Sequence, residues 1–399
     1  MYGDGSEGNP YSISNAEQLL NIKYFATDKK YFALVNTINL KDGVTEYSTA
    51  SGVIIAETFN GVLNGNEHSI GNFVEVYNGV QTINIKNANK FALFGTLADA
   101  TIKNLTIGNS DSTIKIVNSF DEDNSNVVQL SLIATGANRS TISNIVVHDF
   151  VIEISAEETK TLSGGLMLAG LVVTATNSNF TNCTINMINV KLGTNIVLEG
   201  NDKSSYIAGL VAESKASTYS IINIFKENSV DSGFIIQGYS TSMVTYVGGV
   251  IAYFEGNAGY NYSISDANIN VCAKDVQVYR LGGIVGYGSY VEIVSGKTSG
   301  TMSYESAVNA FAIGGIIGYA NNLKLEKVAT NIEFKFAGII GSVNNQFLGA
   351  IAGSLNGNGN VNGWSGPTGT DFNTTIENGN VKLGCYGYKV DAITVVKNN

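Results

Sequence analysis

The chain has 399 residues, a formal net charge of −10 and no run of Lys or Arg, which disfavours nucleic-acid and anionic-membrane partners. Apolar residues make up 44% but charged ones only 14%, well under the usual ~25%, so Asn, Ser, Thr, Gly and Tyr must carry the surface, as in strands and turns. With 45 Gly but 2 Pro, collagen and Pro-rich linkers are excluded, and scarce Pro suits paired strands because Pro removes a ladder donor.

The N-terminus, Met-Tyr-Gly-Asp-Gly, has no signal-peptide pattern and reads as the start of an excised fragment. Ser14 and Glu17 match a capping box. Leu19, Leu20, Ile22 and Phe25 follow at helical spacing, which predicts a short amphipathic helix over 15–27. Its expected job is to cover the open end of a stack of strands, a surface otherwise prone to aggregation. Strand-like segments follow at 31–40, 53–59 and 69–76.

From residue 91 one repeat dominates, a small-residue pair flanked by aliphatics. It reads FALFG at 91–95, LSLIA at 130–134, LAGLV at 168–172, IAGLV at 207–211, VGGVI at 247–251, LGGIV at 281–285, IGGII at 313–317 and LGAIA at 348–352. The third residues, Leu93, Leu132, Gly170, Gly209, Gly249, Gly283, Gly315 and Ala350, serve as anchors. They lie 39, 38, 39, 40, 34, 32 and 35 residues apart, a period that marks a solenoid, propeller or array. A second strand-like run follows most anchors, with Asn near its centre: Asn104, Asn144, Asn182, Asn223 and Asn268. Stacked at the ~4.8 Å strand spacing, such Asn can form side-chain ladders. A four-stranded propeller blade would need four strands joined by hairpin turns. The repeats carry two or three strands and no hairpin series. The expectation is therefore an all-β chain, a right-handed parallel β-helix solenoid with a short N-terminal capping helix. It divides into an N-terminal cap with first coils (1–90), β-helix repeats (91–355) and a C-terminal cap (356–399), with short strands at 375–376, 381–383 and 392–396.

The longest apolar run, at 165–175, has about eleven residues, short of the ~18 that suggest a membrane span. Both alternating faces of the anchor strand are apolar, as in strands buried on both sides. The outer face is expected to lie under long loops, with another molecule as the alternative cover.

The ordered series resembles GLUG-repeat bacterial surface proteins. The matching residues are Asn9-Pro10-Tyr11-Ser12-Ile13-Ser14-Asn15-Ala16-Glu17-Gln18-Leu19, a Tyr31–Leu40 strand, the 59–70 segment FNGVLNGNEHSI, Leu93-Phe94-Gly95 and the Ile-x-Asn-Leu at 102–105. The resemblance covers roughly residues 1 to 355. It implies a secreted or cell-surface parallel β-helix, as in adhesins, in filamentous-haemagglutinin-like proteins and ahead of secreted immunoglobulin A metalloproteases. Asn64 and Glu67 replace the usual Asp and Gly, both in a turn. The pattern brings no catalytic residue with it.

Chemistry-bearing constellations are sparse. His68 and His148 are the only histidines, and there is no HExxH, P-loop, GxSxG or dinucleotide fingerprint. Cys183, Cys272 and Cys385 are widely separated and odd in number, which points to free, mostly buried thiols rather than a disulfide framework. Asp121-Glu122-Asp123 reads as a solvated loop, with a weak calcium site at Asp121 and Asp123 as the alternative and the only cofactor in view. Glu157-Glu158 is a similar pair. Arg139 and Arg280 are the only arginines, too few for a bidentate clamp on sugar carboxylates. Tyr253, Tyr287 and Tyr319 each lie four residues after an anchor, so consecutive repeats would stack them. With Tyr260 and Tyr290 nearby, they form a candidate ligand-binding strip, a structural stack being the plainer reading. Asn104, Asn138, Asn182 and Asn261 open Asn-x-Ser/Thr triplets, relevant if the source glycosylates secreted chains.

The expected function is thus non-catalytic, an extracellular adhesin or stalk module whose lateral face meets a host protein, matrix protein or glycan. Its assembly is expected to be a monomer or further repeats of a larger surface protein, with no membrane insertion. A β-helix polysaccharide lyase or glycoside hydrolase is the first alternative, and would need three or more charged side chains converging on one face. A structural spacer ahead of a protease domain is the second.

Overall fold

The computed structural model describes residues 1–44, 52–200, 203–225, 233–237, 244–259, 262–274, 280–304, 312–336, 347–349, 351–356, 374–377, 382–383 and 393–396. Over these residues the chain is nearly all-β, with one short α-helix, Ala16–Leu20, and two single 3-10 turns. The strands join into one long parallel sheet, and Lys160–Leu162 pairs with Ile196–Leu198 in a separate parallel pair.

Each strand pairs with its counterparts one repeat earlier and one repeat later. Thr101–Ile107 lies between Val62–Asn64 and Thr141–Val147, and the series continues through Asn179–Ile185 and Thr218–Ile224. The anchor strands align in the same way, Leu168 opposite Ile207, then Val247, Leu281 and Ile313, all fully buried. Equivalent aliphatics therefore fill one continuous core, because in-register parallel pairing places like residues side by side. Toward the C-terminus, Thr374–Glu377, Lys382–Leu383 and Ile393–Val396 are strands of the same sheet.

The helix is shorter than its pattern and starts one residue later. Its N-cap is Asn15, not Ser14. The Asn15 side chain accepts from the Gln18 N–H at 2.9 Å, and Gln18 Oε1 accepts from the Ser14 N–H at 2.8 Å. Gln18 thus takes the place expected for Glu17, but its return bond goes to Ser14, one residue before the N-cap, rather than to the N-cap's own N–H as in a capping box. Leu19 and Ile22 enter the main core, and a 3-10 turn, Asn21–Tyr24, ends the helical stretch.

At each anchor the chain bends tightly between two strands. The aliphatics beside the bend, such as Ile207, Leu210 and Val211, enter the main core. The residues one before and three after the anchor are buried elsewhere. Ala169, Val173 and Ala212 at these positions, with Met167 three residues before its anchor, form a second, smaller apolar cluster. In later repeats these positions become Gly282 with Gly286 and Gly314 with Gly318, all buried. A Cβ on Gly282 would lie 1.9 Å from the Val285 carbonyl oxygen and 2.7 Å from the Gly318 nitrogen, so no side chain fits there. Part of the cover on the outer face of the anchor strand is thus the other limb of its own bend.

The second turn carries left-handed residues. Asn104, Asn144 and Asn182 each take φ 52°, a region Asn tolerates better than most residues. Each donates its side-chain amide to the Asn below: Asn104 to Asn64 at 3.0 Å, Asn144 to Asn104 at 2.8 Å and Asn182 to Asn144 at 2.9 Å. The expected ladder thus exists for three of the five predicted Asn. Asn223 and Asn268 do not join it. They face each other two positions further on, where Thr184 precedes them, bonded at 3.2 Å. The ladder position there belongs to Ile221, at φ 54° and 46% exposed. Glu67, at φ 64°, likewise holds a left-handed turn.

Two stability predictions follow from these backbone constraints. Gly282→Ala should destabilise by more than about 2 kcal/mol, read from the urea midpoint. Gly136→Ala serves as its control, because a Cβ at Gly136 meets nothing nearer than 3.4 Å, and should change stability by under about 1 kcal/mol. Ile221→Asn should stabilise by on the order of 1 kcal/mol, because it relieves a β-branched residue of a left-handed backbone. An unchanged or lower midpoint for Ile221→Asn would count against a strained corner.

Candidate functional site

Two columns of side chains line the mouth of the anchor bends. One column stands four residues after each anchor, where Glu213, Tyr253, Tyr287, Tyr319 and Ser354 are successive partners. The three tyrosines stack as the spacing predicts. Tyr253 and Tyr287 have ring centroids 4.7 Å apart at 11°, and Tyr287 and Tyr319 are 5.5 Å apart at 9°.

The other column was not foreseen. It stands three residues before each anchor and runs Met167, Tyr206, Tyr246, Arg280 and Ala312. Because the bend folds its two limbs together, this column faces the first. Tyr246 meets Tyr253 edge-on at 5.7 Å and Tyr287 at 6.0 Å, and Tyr206 meets Tyr253 at 5.5 Å. The Arg280 guanidinium lies 4.0 Å from the Tyr319 ring centroid and 4.8 Å from that of Tyr287, a cation–π arrangement. The signal was present in the sequence, since 206, 246 and 280 keep one offset from Gly209, Gly249 and Gly283. All six side chains of this strip are partly buried and partly exposed. Burial, then the neighbouring Tyr287, pushes the Tyr253 phenol up to about 12, and burial also raises Tyr206.

The other tyrosines near these anchors in sequence fall elsewhere. Tyr290 does not belong to the strip. It sits within its strand, between the paired residues Ser289 and Val291, at φ 50° and 40% exposed. Tyr262 packs against the main core, and Tyr260 and Tyr279 lie outside the described residues.

The acidic loops contribute to a second feature, a cleft of about 600 Å³. Lys86, Ser119 and Ser155 are aligned at the ends of three neighbouring strands, Val80–Lys86, Thr113–Ser119 and Phe150–Ser155. Asp121, Glu157, Glu158 and Lys160 complete the charged rim. Asp121 pairs with Lys86 at 2.5 Å and accepts from Asn87 Nδ2 at 2.6 Å. These contacts, Lys86 first, hold the Asp121 carboxyl below its ordinary value, and Asp121 holds the Lys86 amine above its own. Asp123 instead accepts from the Thr161 N–H at 2.8 Å. Among the described residues no group of three or more His, Cys, Asp or Glu is placed to hold a metal ion, so Asp121 and Asp123 do not assemble into a calcium-type cluster there.

Of the remaining singled-out residues, His148 shares its Nδ1 with the Asn186 amide at 3.2 Å. Cys183 is a buried free thiol whose burial pushes it up to about 12. Cys272 is partly buried and in no disulfide, and Cys385 lies outside the described residues. Arg139 forms a two-pronged pair with Asp99 at 2.7 and 2.6 Å. Among the described residues no helix is long and apolar enough to cross a membrane.

No family model matches the chain, and no curated protein matches it.

The strip has a pH signature. A phenol whose folded value exceeds the free value near 10 supports the fold fully below about pH 10. That support is lost as pH rises toward about 12. Tyr253→Phe should therefore lose less stability than the parent across this alkaline window, measured by urea midpoints. Identical alkaline slopes for the two proteins would show that Tyr253 ionises freely.

Proposed function

We propose that the chain is a right-handed parallel β-helix of the GLUG-repeat kind, an extracellular adhesin or stalk module that holds a protein partner on its aromatic strip. The winding is supported by strands that pair in parallel with their counterparts one repeat away, in constant register across the anchors. The single observation behind the binding role is the half-exposed set of Tyr206, Tyr246, Tyr253, Tyr287, Tyr319 and Arg280. Tyr and Arg are the residues that most often dominate binding energy at protein interfaces. The stacking also bears on the partner. Tyr287 has both ring faces taken by Tyr253 and Tyr319, so its edge and hydroxyl remain for contact. A sugar ring that packs flat on an aromatic face is poorly served by such a stack, and a protein surface offering apolar and hydrogen-bonding groups is better served.

The carbohydrate-active enzyme reading draws on one observation, the convergence of Lys86, Asp121, Glu157, Glu158 and Lys160 on one cleft. General acid–base work needs a group poised near neutral pH. The Lys86–Asp121 pair moves both its members away from neutrality, toward their charged forms, which favours binding over catalysis.

A screen of matrix and host-surface proteins tests the proposal, with Tyr253→Ala/Tyr287→Ala/Tyr319→Ala as the paired variant. Binding should weaken at least tenfold in the variant, provided circular dichroism is unchanged. A partner held equally well by both proteins would remove the strip from the argument.

A further inference from the structure

We infer that the charged cleft at the ends of strands Val80–Lys86, Thr113–Ser119 and Phe150–Ser155 is a binding site for a neutral saccharide, separate from the aromatic strip. Its volume, about 600 Å³, lies inside the ~300–1,000 Å³ range of small-molecule sites. Its floor includes Phe120, only 2% exposed.

The walls are held from behind. Asn195 donates its side-chain amide to the Ala156 and Glu157 carbonyls at 3.1 and 2.8 Å. On the other side, the Asn124 N–H donates to the Thr161 carbonyl at 2.9 Å, and the Thr161 N–H donates to Asp123 Oδ1 at 2.8 Å. The segment 156–162 is thereby tied at both ends, to the next repeat and to the preceding one. A ligand entering this cleft does not have to order its walls, which reduces the entropic cost of binding.

The chemistry of the rim selects the ligand class. Three carboxylates, Asp121, Glu157 and Glu158, accompany two amines, Lys86 and Lys160. An anion such as a sulfate or uronate meets the three carboxylates, and a simple cation meets the two amines. A large apolar ligand finds mostly charge at the rim. A sugar hydroxyl, by contrast, both donates and accepts. It can donate to the carboxylates while accepting from a lysine, and Ser119 and Ser155 can serve either role. Lys86 and Asp121 are more than half exposed while bonded to each other, so neither is sealed from solvent. Charge-assisted hydrogen bonds of this kind are among the stronger ones available to a polyol.

The test is an array of neutral oligosaccharides alongside sulfated and uronic-acid glycans, followed by titration calorimetry with the best neutral hit. The proteins are the parent chain, Glu157→Gln, Lys86→Met and the triple tyrosine variant. The parent should retain neutral glycans in preference to charged ones. Glu157→Gln and Lys86→Met should each weaken that binding about tenfold or more, while the triple tyrosine variant binds as the parent does. Because Lys86 is an exposed side chain, its replacement should leave the melting temperature close to the parent value, which separates lost binding from lost folding. Retention of only anionic glycans, retention of none, or neutral binding untouched by both cleft variants would each overturn the assignment. Neutral binding lost in the tyrosine variant instead would overturn it too, by moving the saccharide to the strip.

Discussion

The structure depends on how closely two lengths of backbone approach at the anchor bend. Val285 O and the position a Cβ would take on Gly282 are 1.9 Å apart, so at Gly282 the limbs close only over glycine, while the small residues Ala92, Ser131, Ala169 and Ala208 hold the same place before the earlier anchors. That contact sets the separation of the limbs, and the limbs set everything at the mouth. Tyr246 reaches Tyr253, and Arg280 reaches Tyr287, because the small residues beneath them let the strands come together. A larger residue at the pinch would splay both columns. Small residues in this repeat are therefore a packing requirement, and the aromatic strip is a consequence of it.

The second constraint is conformational. A parallel stack that turns at the same place in every repeat needs a left-handed residue at the same place too. Asn meets that need and adds a side-chain bond to the neighbouring repeat, which explains the run from Asn64 to Asn182. Past Asn182 the turn persists without Asn. Ile221, Asp266, Ser295 and Lys327 all take φ between 51° and 56°, although none extends the amide ladder. Pairing along the flanking strands thus suffices to hold the corner, even with a β-branched residue in an unfavourable region. Tyr290 is a case of the same kind, placed by its left-handed backbone and not by any role in the strip.

Much of this was legible in the sequence because parallel pairing turns a sequence period into spatial adjacency. The all-strand content, the core aliphatics at the anchors and the Tyr253–Tyr287–Tyr319 stack could all be read from one repeat length. What escaped notice involved comparison across a bend or between loops. Tyr206, Tyr246 and Arg280 precede their anchors, and nothing in linear order says that they face residues seven positions later. Asn223 and Asn268 looked like ladder members because a two-residue offset is invisible without register. The cap shifted from Ser14 to Asn15 because both residue types satisfy the same helix end.

The cleft was missed for the same reason. Lys86, Asp121 and Glu157 lie about one repeat apart, yet Asp121 and Glu157 read as unrelated solvated loops. Charge patterning along the chain treats such pairs as local, whereas a parallel stack makes them neighbours. In a chain with only 14% charged residues, two amines and three carboxylates gathered around one cavity are a marked local concentration. Four of them are already engaged in pairs, Lys86 with Asp121 and Lys160 with Glu158, so the group stays in place without a ligand. A surface built mostly from Asn, Ser and Thr can bind water uniformly but discriminates poorly among partners. Discrimination requires places where side chains of different chemistry are fixed relative to one another. The strip fixes rings against a guanidinium, and the cleft fixes acids against amines. Both do so with residues from successive repeats, held in register by the same backbone ladder.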